Sequence, residues 1–237
     1  EQVGIHSHIG SQITDIKPVI EAAKIVANLT RELKAAQIDI KFFDVGGGIG
    51  IVYGDESEPD LYEYAQCILA NLSGLDVTVV CEPGRFIVGN AGYFLTSVLY
   101  EKFNKEKRFV IVDGAMNDLI RPSLYQARHK IFALSGGKTL CECKKEQLEE
   151  LKFSPCDVVG PICESGDFLA KDRNLPPLNP GDLVVIKSAG AYGFAMSSNY
   201  NTRGRAAEVA VKGGEDFLIR RRESFEDVVA LELEFLG

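Results

Sequence analysis

Apolar strand-like segments alternate with helix-like segments over the first 92 residues, and this alternation constrains the fold more than any other feature. Three strands are predicted, at 3–7, 42–45 and 77–81. One helix follows the first strand, and a second covers about 60–72. Alternating strands and helices of this kind predict a parallel sheet, either open or closed into a barrel.

The helix after the first strand has a clear start and a clear apolar face. Asp15 is a plausible N-cap, and Pro18 falls in the first turn, where its missing N–H has no cost. Apolar residues then recur every three to four positions, which predicts an amphipathic helix. These residues are Val19, Ala22, Ala23, Val26, Leu29 and Leu33.

From about Tyr93 onward the pattern becomes that of a β-rich domain. Apolar runs lie at 93–99, 109–112, 130–134, 182–188 and 208–211. Turn signals rich in glycine and proline separate them, which favours a β-barrel or sandwich. A short helix is predicted after Glu223. The fold class is therefore an α/β domain over residues 1–92 followed by an all-β domain over residues 93–237.

Charge and hydropathy exclude several classes of function. The 237 residues include 26 basic and 34 acidic side chains, a net charge of -8. This balance argues against a general nucleic-acid partner. No apolar run is long enough to cross a bilayer, and no signal peptide is visible, so no membrane partner is predicted.

Six cysteines are scattered along the chain, which predicts reduced thiols in a cytoplasmic protein. The segment Cys141-Glu142-Cys143 could suggest a metal site. No second Cys or His pair at ligand spacing accompanies it, so no metal is predicted there.

Polar residues follow each of the three predicted strands in the first domain. The three groups are 6–12, 46–50 and 82–85. Because sites in parallel α/β proteins lie beyond the carboxyl ends of the strands, the three groups are expected to meet on one face.

Each group permits more than one interpretation. Three consecutive glycines at 46–48 could bring backbone N–H groups close to an anion, or could simply form a tight turn. Gly84 and Arg85 add a small residue and a permanent cation, which suits a phosphate. His6 and His8 could be a metal pair, could point in different directions, or could stack on a flat ring.

Glu82 is the most informative of these residues. A carboxylate at the end of a buried strand costs free energy unless it has a partner. Arg85 is one possible partner, and a protonated ring nitrogen of a ligand is another. A phosphate cradle, a flat stacking residue and an acid facing a ring nitrogen together describe a site for pyridoxal phosphate.

Six ordered motifs resemble the pyridoxal-phosphate decarboxylases, the group that includes diaminopimelate, ornithine and biosynthetic arginine decarboxylases and shares its fold with alanine racemase. The motifs are GIHSHIGSQ (4–12), FDVGGGIG (43–50), CEPGRF (81–86), VDGAMNDLIRPSLY (112–125), VVGPICESGD (158–167) and KSAGAYGFAMSSNYN (187–201). The resemblance implies that residues 1–92 are the last three βα units of a (β/α)8 TIM barrel. Residues 93–237 would form the C-terminal β-domain with substrate-binding loops.

The resemblance also assigns residues to the cofactor. His8 would stack on the pyridine ring, Glu82 would pair with the ring nitrogen, and Gly48 with Gly84 and Arg85 would hold the phosphate. The full set of implied cofactor contacts is His8, Ser11, Gly48, Glu82, Pro83, Gly84, Arg85 and Tyr192.

Substrate and catalytic roles follow from the same resemblance. Cys163 would deliver a proton to the carbon that loses carbon dioxide, across the interface of a homodimer, and His8 would be the second catalytic residue. The implied substrate contacts are Arg85, Arg121, Tyr125, Glu164 and Tyr192. Without the resemblance, Arg121 and Glu164 would be interpreted as solvated loop charges.

The implied reaction is decarboxylation of meso-diaminopimelate to L-lysine, a step of lysine biosynthesis. Glu164 directly after Cys163 favours this substrate, because ornithine decarboxylases carry Asp there. A decarboxylase of ornithine, arginine or carboxynorspermidine, and a non-catalytic partner-binding homologue, are the alternatives. The lysine that binds the cofactor covalently lies upstream of this sequence in the family, and neither Lys41 nor Lys187 matches its motif, so this chain is expected to be the C-terminal part of an enzyme.

Overall fold

The computed structural model of the protein describes residues 3–54, 56–105, 107–136, 138–139 and 152–236. The chain separates into two compact units, residues 1–91 and residues 92–237. The Cys141 and Cys143 thiols, considered above as metal ligands, lie outside the described residues.

The first unit is a small parallel sheet flanked by helices. Its elements are β1 (Gly4–His6), α1 (Lys17–Ala35), β2 (Phe42–Asp44), α2 (Leu61–Asn71), β3 (Thr78–Val80) and α3 (Gly84–Val88), with a 3-10 turn at Gly89–Ala91. The strands pair in the order β1-β2-β3, and both pairings are parallel. Ile5, Phe43 and Val79 lie side by side across the sheet. The predicted parallel pairing is confirmed for these three strands.

Helix α1 packs one face against the sheet, although its start and face differ from the prediction. The N-cap is Ile16, and Asp15 instead accepts a hydrogen bond from the Lys17 N–H at 3.1 Å, so the predicted N-cap is wrong by one residue. Leu29, expected on the apolar face, is 46% exposed. The buried positions of α1 are Val19, Ala23, Ala27 and Thr30, and they pack near the fully buried Phe43.

A larger mixed sheet forms the second unit. Its strands are β4 (Phe94–Asn104), β5 (Lys107–Val112), β6 (Ile131–Ser135), β7 (Lys138–Thr139), β8 (Ser154–Val159), β9 (Phe168–Leu175) and β10 (Leu183–Ile186). They pair in the order β7-β6-β10-β4-β5-β8-β9, and only the β5–β8 pair among them is parallel. The long strand β4 pairs with β10 through its first half and with β5 through its second half. The predicted β-rich second domain is therefore confirmed as a sheet domain.

The core of this sheet is made of small and branched apolar side chains. Val98, Val110, Val112, Val158, Val184 and Ile186 are each at most 2% exposed. Short 3-10 turns at Phe194–Met196 and Tyr200–Thr202 follow β10, and a five-residue helix, α4 (Arg121–Tyr125), follows β5. The chain then forms a separate antiparallel hairpin of β11 (Glu208–Lys212) and β12 (Glu215–Arg220).

Two short helices, α5 (Phe225–Val228) and α6 (Ala230–Leu236), follow the hairpin, so the predicted helix after Glu223 is confirmed. Ser224 and Asp227 cap α5 reciprocally: the Ser224 hydroxyl accepts from the Asp227 N–H, and the Asp227 carboxylate accepts from the Ser224 N–H. Across the described ranges, no helix has the length and apolar character that a membrane crossing requires.

Candidate active site

The carboxyl ends of β1, β2 and β3 bring together three titratable side chains. His6 and Asp44 lie at the ends of adjacent strands, directly opposite each other, and Glu82 follows β3 by two residues. The His6 Nε2 lies 3.3 Å from a Glu82 carboxylate oxygen, and ligand atoms of all three residues lie within 4.8 Å of one another. His6 and Glu82 are each about half exposed, so the carboxylate is held in place yet reachable from solution.

The Glu82 carboxylate has a partner that the sequence interpretations did not name. This partner is His6, and two hydrogen bonds of Arg85 go to other residues. Arg85 donates from Nη1 to the Tyr53 hydroxyl at 2.5 Å and from Nη2 to the Ser11 hydroxyl at 3.0 Å. Its guanidinium also lies 5.7 Å from the centre of the Tyr53 ring. Arg85 lies in the short helix α3, which begins at Gly84.

His8 has its orientation fixed by the glycine loop. The Gly47 N–H donates to the His8 Nδ1 at 3.2 Å. A backbone N–H can only donate, so Nδ1 carries no proton, and in the neutral imidazole the proton is on Nε2. The side chain itself is exposed. His8 is thus a preoriented flat ring at the same strand ends as Glu82.

The glycine run packs three loops closely together. A Cβ atom on Gly46 would lie 2.3 Å from the Ser7 carbonyl oxygen, and one on Gly47 would lie 2.2 Å from the Glu82 carbonyl oxygen. A Cβ on Gly48, whose φ is +92°, would lie 2.1 Å from the Gly10 carbonyl oxygen. These contacts account for the three glycines by the close approach of neighbouring loops, and the run itself is not a tight turn. Gly84 differs, because a Cβ there would have no heavy atom within 4 Å.

The metal interpretation of His6 and His8 is replaced by a different grouping. Among the described residues, the cluster with metal-ligand geometry is His6, Asp44 and Glu82, and His8 is not part of it. Asp44 also accepts a hydrogen bond from the Gly46 N–H at 2.8 Å. Within the cluster, the Glu82 carboxylate bonds the His6 imidazole, whereas Asp44 bonds the backbone of the glycine loop.

In the second unit, Arg121 is a buried cation at the start of α4. It is 6% exposed and donates from Nη1 to the His129 Nε2 at 2.9 Å. The His129 Nδ1 lies 2.8 Å from the Lys187 carbonyl oxygen, which can only accept, so the ring proton is on Nδ1. The expectation from residue type alone, a solvated loop charge, is wrong for Arg121.

The loop that carries Cys163 and Glu164 is anchored by a buried acid. Asp167 accepts from the Met116 N–H at 2.8 Å and from the Ile162 N–H at 2.6 Å, and burial raises its pKa. Glu164 accepts from the Gly166 N–H at 3.0 Å, a hydrogen bond that lowers the pKa of its carboxyl. Cys163 and Glu164 themselves are exposed.

Helix α4 and this loop are in contact. A Cβ atom on Gly166 would lie 2.9 Å from the Ser123 hydroxyl, and Ser123 is in the middle of α4. The segment of Arg121 and Tyr125 therefore lies beside the segment of Cys163 and Glu164. Tyr125 is 61% exposed.

Tyr192 is 43% exposed and adopts a φ of +58°, in the left-handed region. A non-glycine residue in this conformation is uncommon, and such residues concentrate at functional sites. Its role toward cofactor and substrate stays a prediction.

Three partner residues were not identified from the sequence: Tyr53, His129 and Asp44. Asp44 could have been found, because it ends a predicted parallel strand beside His6. Tyr53 and His129 contact their arginines through loop geometry that no sequence pattern reveals.

Comparison with known proteins gives consistent results. The model of the family described as pyridoxal-dependent decarboxylase, C-terminal sheet domain, matches residues 14–190. The chain is 60% identical to the diaminopimelate decarboxylase of Campylobacter jejuni over 237 residues, which is 100% of this chain and 56% of that protein. It is 50% identical to the Helicobacter pylori diaminopimelate decarboxylase over 236 residues, again 56% of that protein.

Solved structures show the same similarity. The crystal structure of the Helicobacter pylori diaminopimelate decarboxylase complexed with L-lysine matches with a TM-score of 0.89 at 49% identity, over 99% of this chain and 55% of that chain. A lysine/ornithine decarboxylase from Vibrio vulnificus complexed with cadaverine matches with a TM-score of 0.72 at 26% identity, over 86% of this chain and 52% of that one. The chain thus spans little more than half the length of these relatives.

Proposed function

The chain belongs to the pyridoxal-dependent decarboxylases, and from this membership we propose that it is the C-terminal part of an enzyme that decarboxylates meso-diaminopimelate to L-lysine and carbon dioxide. The observation that carries the proposal is the high identity to a diaminopimelate decarboxylase over every residue of this chain.

The side chains at the strand ends of the first unit fit pyridoxal phosphate by their chemistry. Glu82 offers a half-exposed carboxylate to a protonated ring nitrogen, and His8 offers a preoriented ring face. Ser11 and Arg85 form a hydroxyl–guanidinium pair suited to phosphate oxygens, and Gly84 leaves open space beside them. When bound, the cofactor supplies an electron sink for the bond that breaks.

Glu82 would keep the ring nitrogen protonated, because a carboxylate favours the charged form of a neighbouring base. The His6 Nε2 lies 3.3 Å from that carboxylate and so restricts its orientation. Gly48, Pro83 and Tyr192 complete the set of residues that we assign to the cofactor.

Arg121 would bind the distal carboxylate of the substrate with Tyr125, while Arg85 and Tyr192 would contact its other end. The His129 hydrogen bond restrains the Arg121 guanidinium, and a restrained fork loses less entropy when it meets a carboxylate. The hydrogen bond from the Gly166 N–H favours the ionised form of Glu164, which suits a distal ammonium group.

Cys163 would donate the proton to the carbon that has lost carbon dioxide. Its thiol is exposed, and the loop that carries it is fixed by Asp167 rather than free to swing. We propose that this loop reaches the site of a second copy, so that the enzyme is a homodimer. A cytoplasmic location belongs to the same proposal.

The three βα units would belong to a (β/α)8 barrel in the whole enzyme. Their strands are parallel, and Phe43 on one sheet face is fully buried against the helices. Phe42, on the opposite face, is 45% exposed, and Val79, on the edge strand β3, is 39% exposed, so the sheet has apolar surface that further barrel strands and their side chains could cover.

The test is carbon dioxide release by the whole enzyme from meso-diaminopimelate, with ornithine, arginine and carboxynorspermidine as competing substrates. Turnover of one of these three amino acids without turnover of diaminopimelate would refute the substrate assignment. No turnover of any of them, with the cofactor bound, would favour a non-catalytic homologue.

Two variants test residue roles in the same assay. Cys163→Ala should slow product formation by about a hundredfold or more while leaving cofactor binding intact, with Cys67→Ala in α2 as the matched control. Arg121→Ala should raise KM for diaminopimelate by about tenfold or more and spare cofactor affinity. Equal loss of both would make Arg121 a structural residue.

A further inference from the structure

A cavity of about 460 Å³ lies between α4 and β9 in the second unit. Pro122, Ser123 and Gln126 line it from α4 and the residue that follows, and Phe168 and Arg173 line it from β9. None of the residues assigned above to cofactor or substrate lines this cavity. We propose that it binds a small organic anion, a carboxylate or a phosphate ester.

The charge of the lining carries the first part of the argument. Among the described lining residues, Arg128, Lys171 and Arg173 are cations, and Asp172 is the acid. Burial lowers the pKa of Arg173, and repulsion from Arg128 lowers it further, while Asp172 acts in the opposite direction. An anion bound beside the two guanidiniums would reduce that repulsion.

The hydrogen bonds of Arg173 carry the second part. Its Nη2 donates to the His129 carbonyl oxygen at 3.2 Å, whereas its Nε is buried and has no hydrogen-bond partner among the described residues. A buried charged donor without an acceptor is costly and uncommon in proteins. A carboxylate or phosphate oxygen is the acceptor that a guanidinium binds best.

The remaining lining argues for an organic ligand over a bare ion. The Lys171 ammonium lies over the Phe168 ring, 3.7 Å from the centre of the ring. Pro122, Ala127 and Ala170 add apolar surface to the lining. The volume falls in the range of small-molecule sites, and the lining combines these apolar residues with a larger polar and charged part. A ligand with one anionic end and a short carbon body matches both features.

The cavity also lies on a path to Arg121. Arg173 bonds the backbone carbonyl of His129, and the His129 ring bonds Arg121. An anion that draws the Arg173 guanidinium toward it would therefore act on the residue that orients Arg121. This consequence rests on the proposed function, whereas binding to the cavity does not.

Isothermal titration calorimetry of the whole enzyme at low ionic strength tests the proposal, with pyridoxal phosphate present so that the cofactor's own phosphate site is occupied. The probes are succinate, glycerol phosphate and inorganic phosphate. We expect at least one of the two organic anions to bind more tightly than inorganic phosphate. Binding of inorganic phosphate alone, or of no probe, would overturn the proposal.

Variants locate the binding. Arg173→Gln should weaken the affinity for the organic anion by about tenfold or more, and Arg128→Gln, at an exposed position, should weaken it without risk to the fold. Lys24→Gln on the exposed face of α1 removes one positive charge elsewhere and should leave the affinity unchanged. Equal affinities in Arg128→Gln and Lys24→Gln would refute the site. The titration needs no turnover, so its outcome is independent of the substrate assignment.

Discussion

The same substitution should have opposite effects at two glycines of the candidate active site. At Gly47, a Cβ atom would lie 2.2 Å from the Glu82 carbonyl oxygen and 3.1 Å from its carbon. Both atoms belong to the backbone, so a side-chain rotation cannot relieve the overlap. Gly47→Ala must therefore separate two loops that the Glu82 N–H to Gly46 carbonyl hydrogen bond, 2.9 Å long, holds together.

The size of the effect follows from these distances. Restoring an ordinary contact requires a shift of about 1 Å, and such overpacking with one strained hydrogen bond costs about 2–4 kcal/mol. Gly84 opens α3, and a Cβ there meets no heavy atom within 4 Å. Gly84→Ala should change stability by at most about 1 kcal/mol, in the stabilising direction, because alanine restricts the unfolded chain more than glycine does.

Native-state amide hydrogen exchange of Val45 and Thr78 measures this difference, because their N–H groups donate across β2 and β3, to the Val80 and Lys41 carbonyl oxygens at 3.0 and 2.7 Å, and so report on the first unit. The free energy of the opening that exposes these amides should fall in Gly47→Ala and should stay the same or rise in Gly84→Ala. Equal exchange in the two variants would show that the glycine loop yields without cost, and the packing argument for the glycine run would fail.

Three further predictions concern the second unit. Arg108→Met should lower its free energy of unfolding by about 3–5 kcal/mol in a denaturant titration, because this 3% exposed guanidinium leaves behind a carboxylate partner and several backbone carbonyls. Burial raises the pKa of the Cys156 thiol to about 11, so maleimide at pH 8 should label Cys163 and reach Cys156 only after unfolding. The Arg221 hydrogen bonds lower the pKa of Asp227, so the stability that this pair gives the C-terminal helices is present above the ordinary carboxyl pKa and is lost as the pH falls below it. Amide exchange protection of α5 and α6 should therefore decline below about pH 4. Protection that is unchanged there would contradict this prediction.

The meeting of polar groups at the strand ends could be predicted because parallel pairing fixes it. Once β1, β2 and β3 are parallel neighbours, His6, Asp44 and Glu82 have to lie at one edge. Which of them pair could not be predicted. Arg85 is three residues from Glu82, but the chain turns into α3 between them, and the observed partner His6 is 76 residues away.

Strand β9 shows a second limit of sequence patterns. Its centre, Lys171-Asp172-Arg173, is charged, and a charged run favours a solvated loop. Among the described strands, β9 is the last of its sheet and pairs with β8 alone, so one of its edges tolerates polar residues. Leu169 and Leu175 at its two ends are buried and hold it on the sheet.

Arg121 illustrates how a buried charge can be held by a neutral partner. A guanidinium at 6% exposure is costly unless neighbouring acceptors satisfy it. His129 can accept from it only while its Nδ1 donates to the Lys187 carbonyl, since a proton on both ring nitrogens would set an N–H against the arginine N–H at 2.9 Å. The neutral tautomer is therefore part of the fold, and it holds the arginine without neutralising its charge. An acid in place of His129 would pair with the Arg121 charge and, under the proposed function, would leave less electrostatic attraction for a substrate carboxylate.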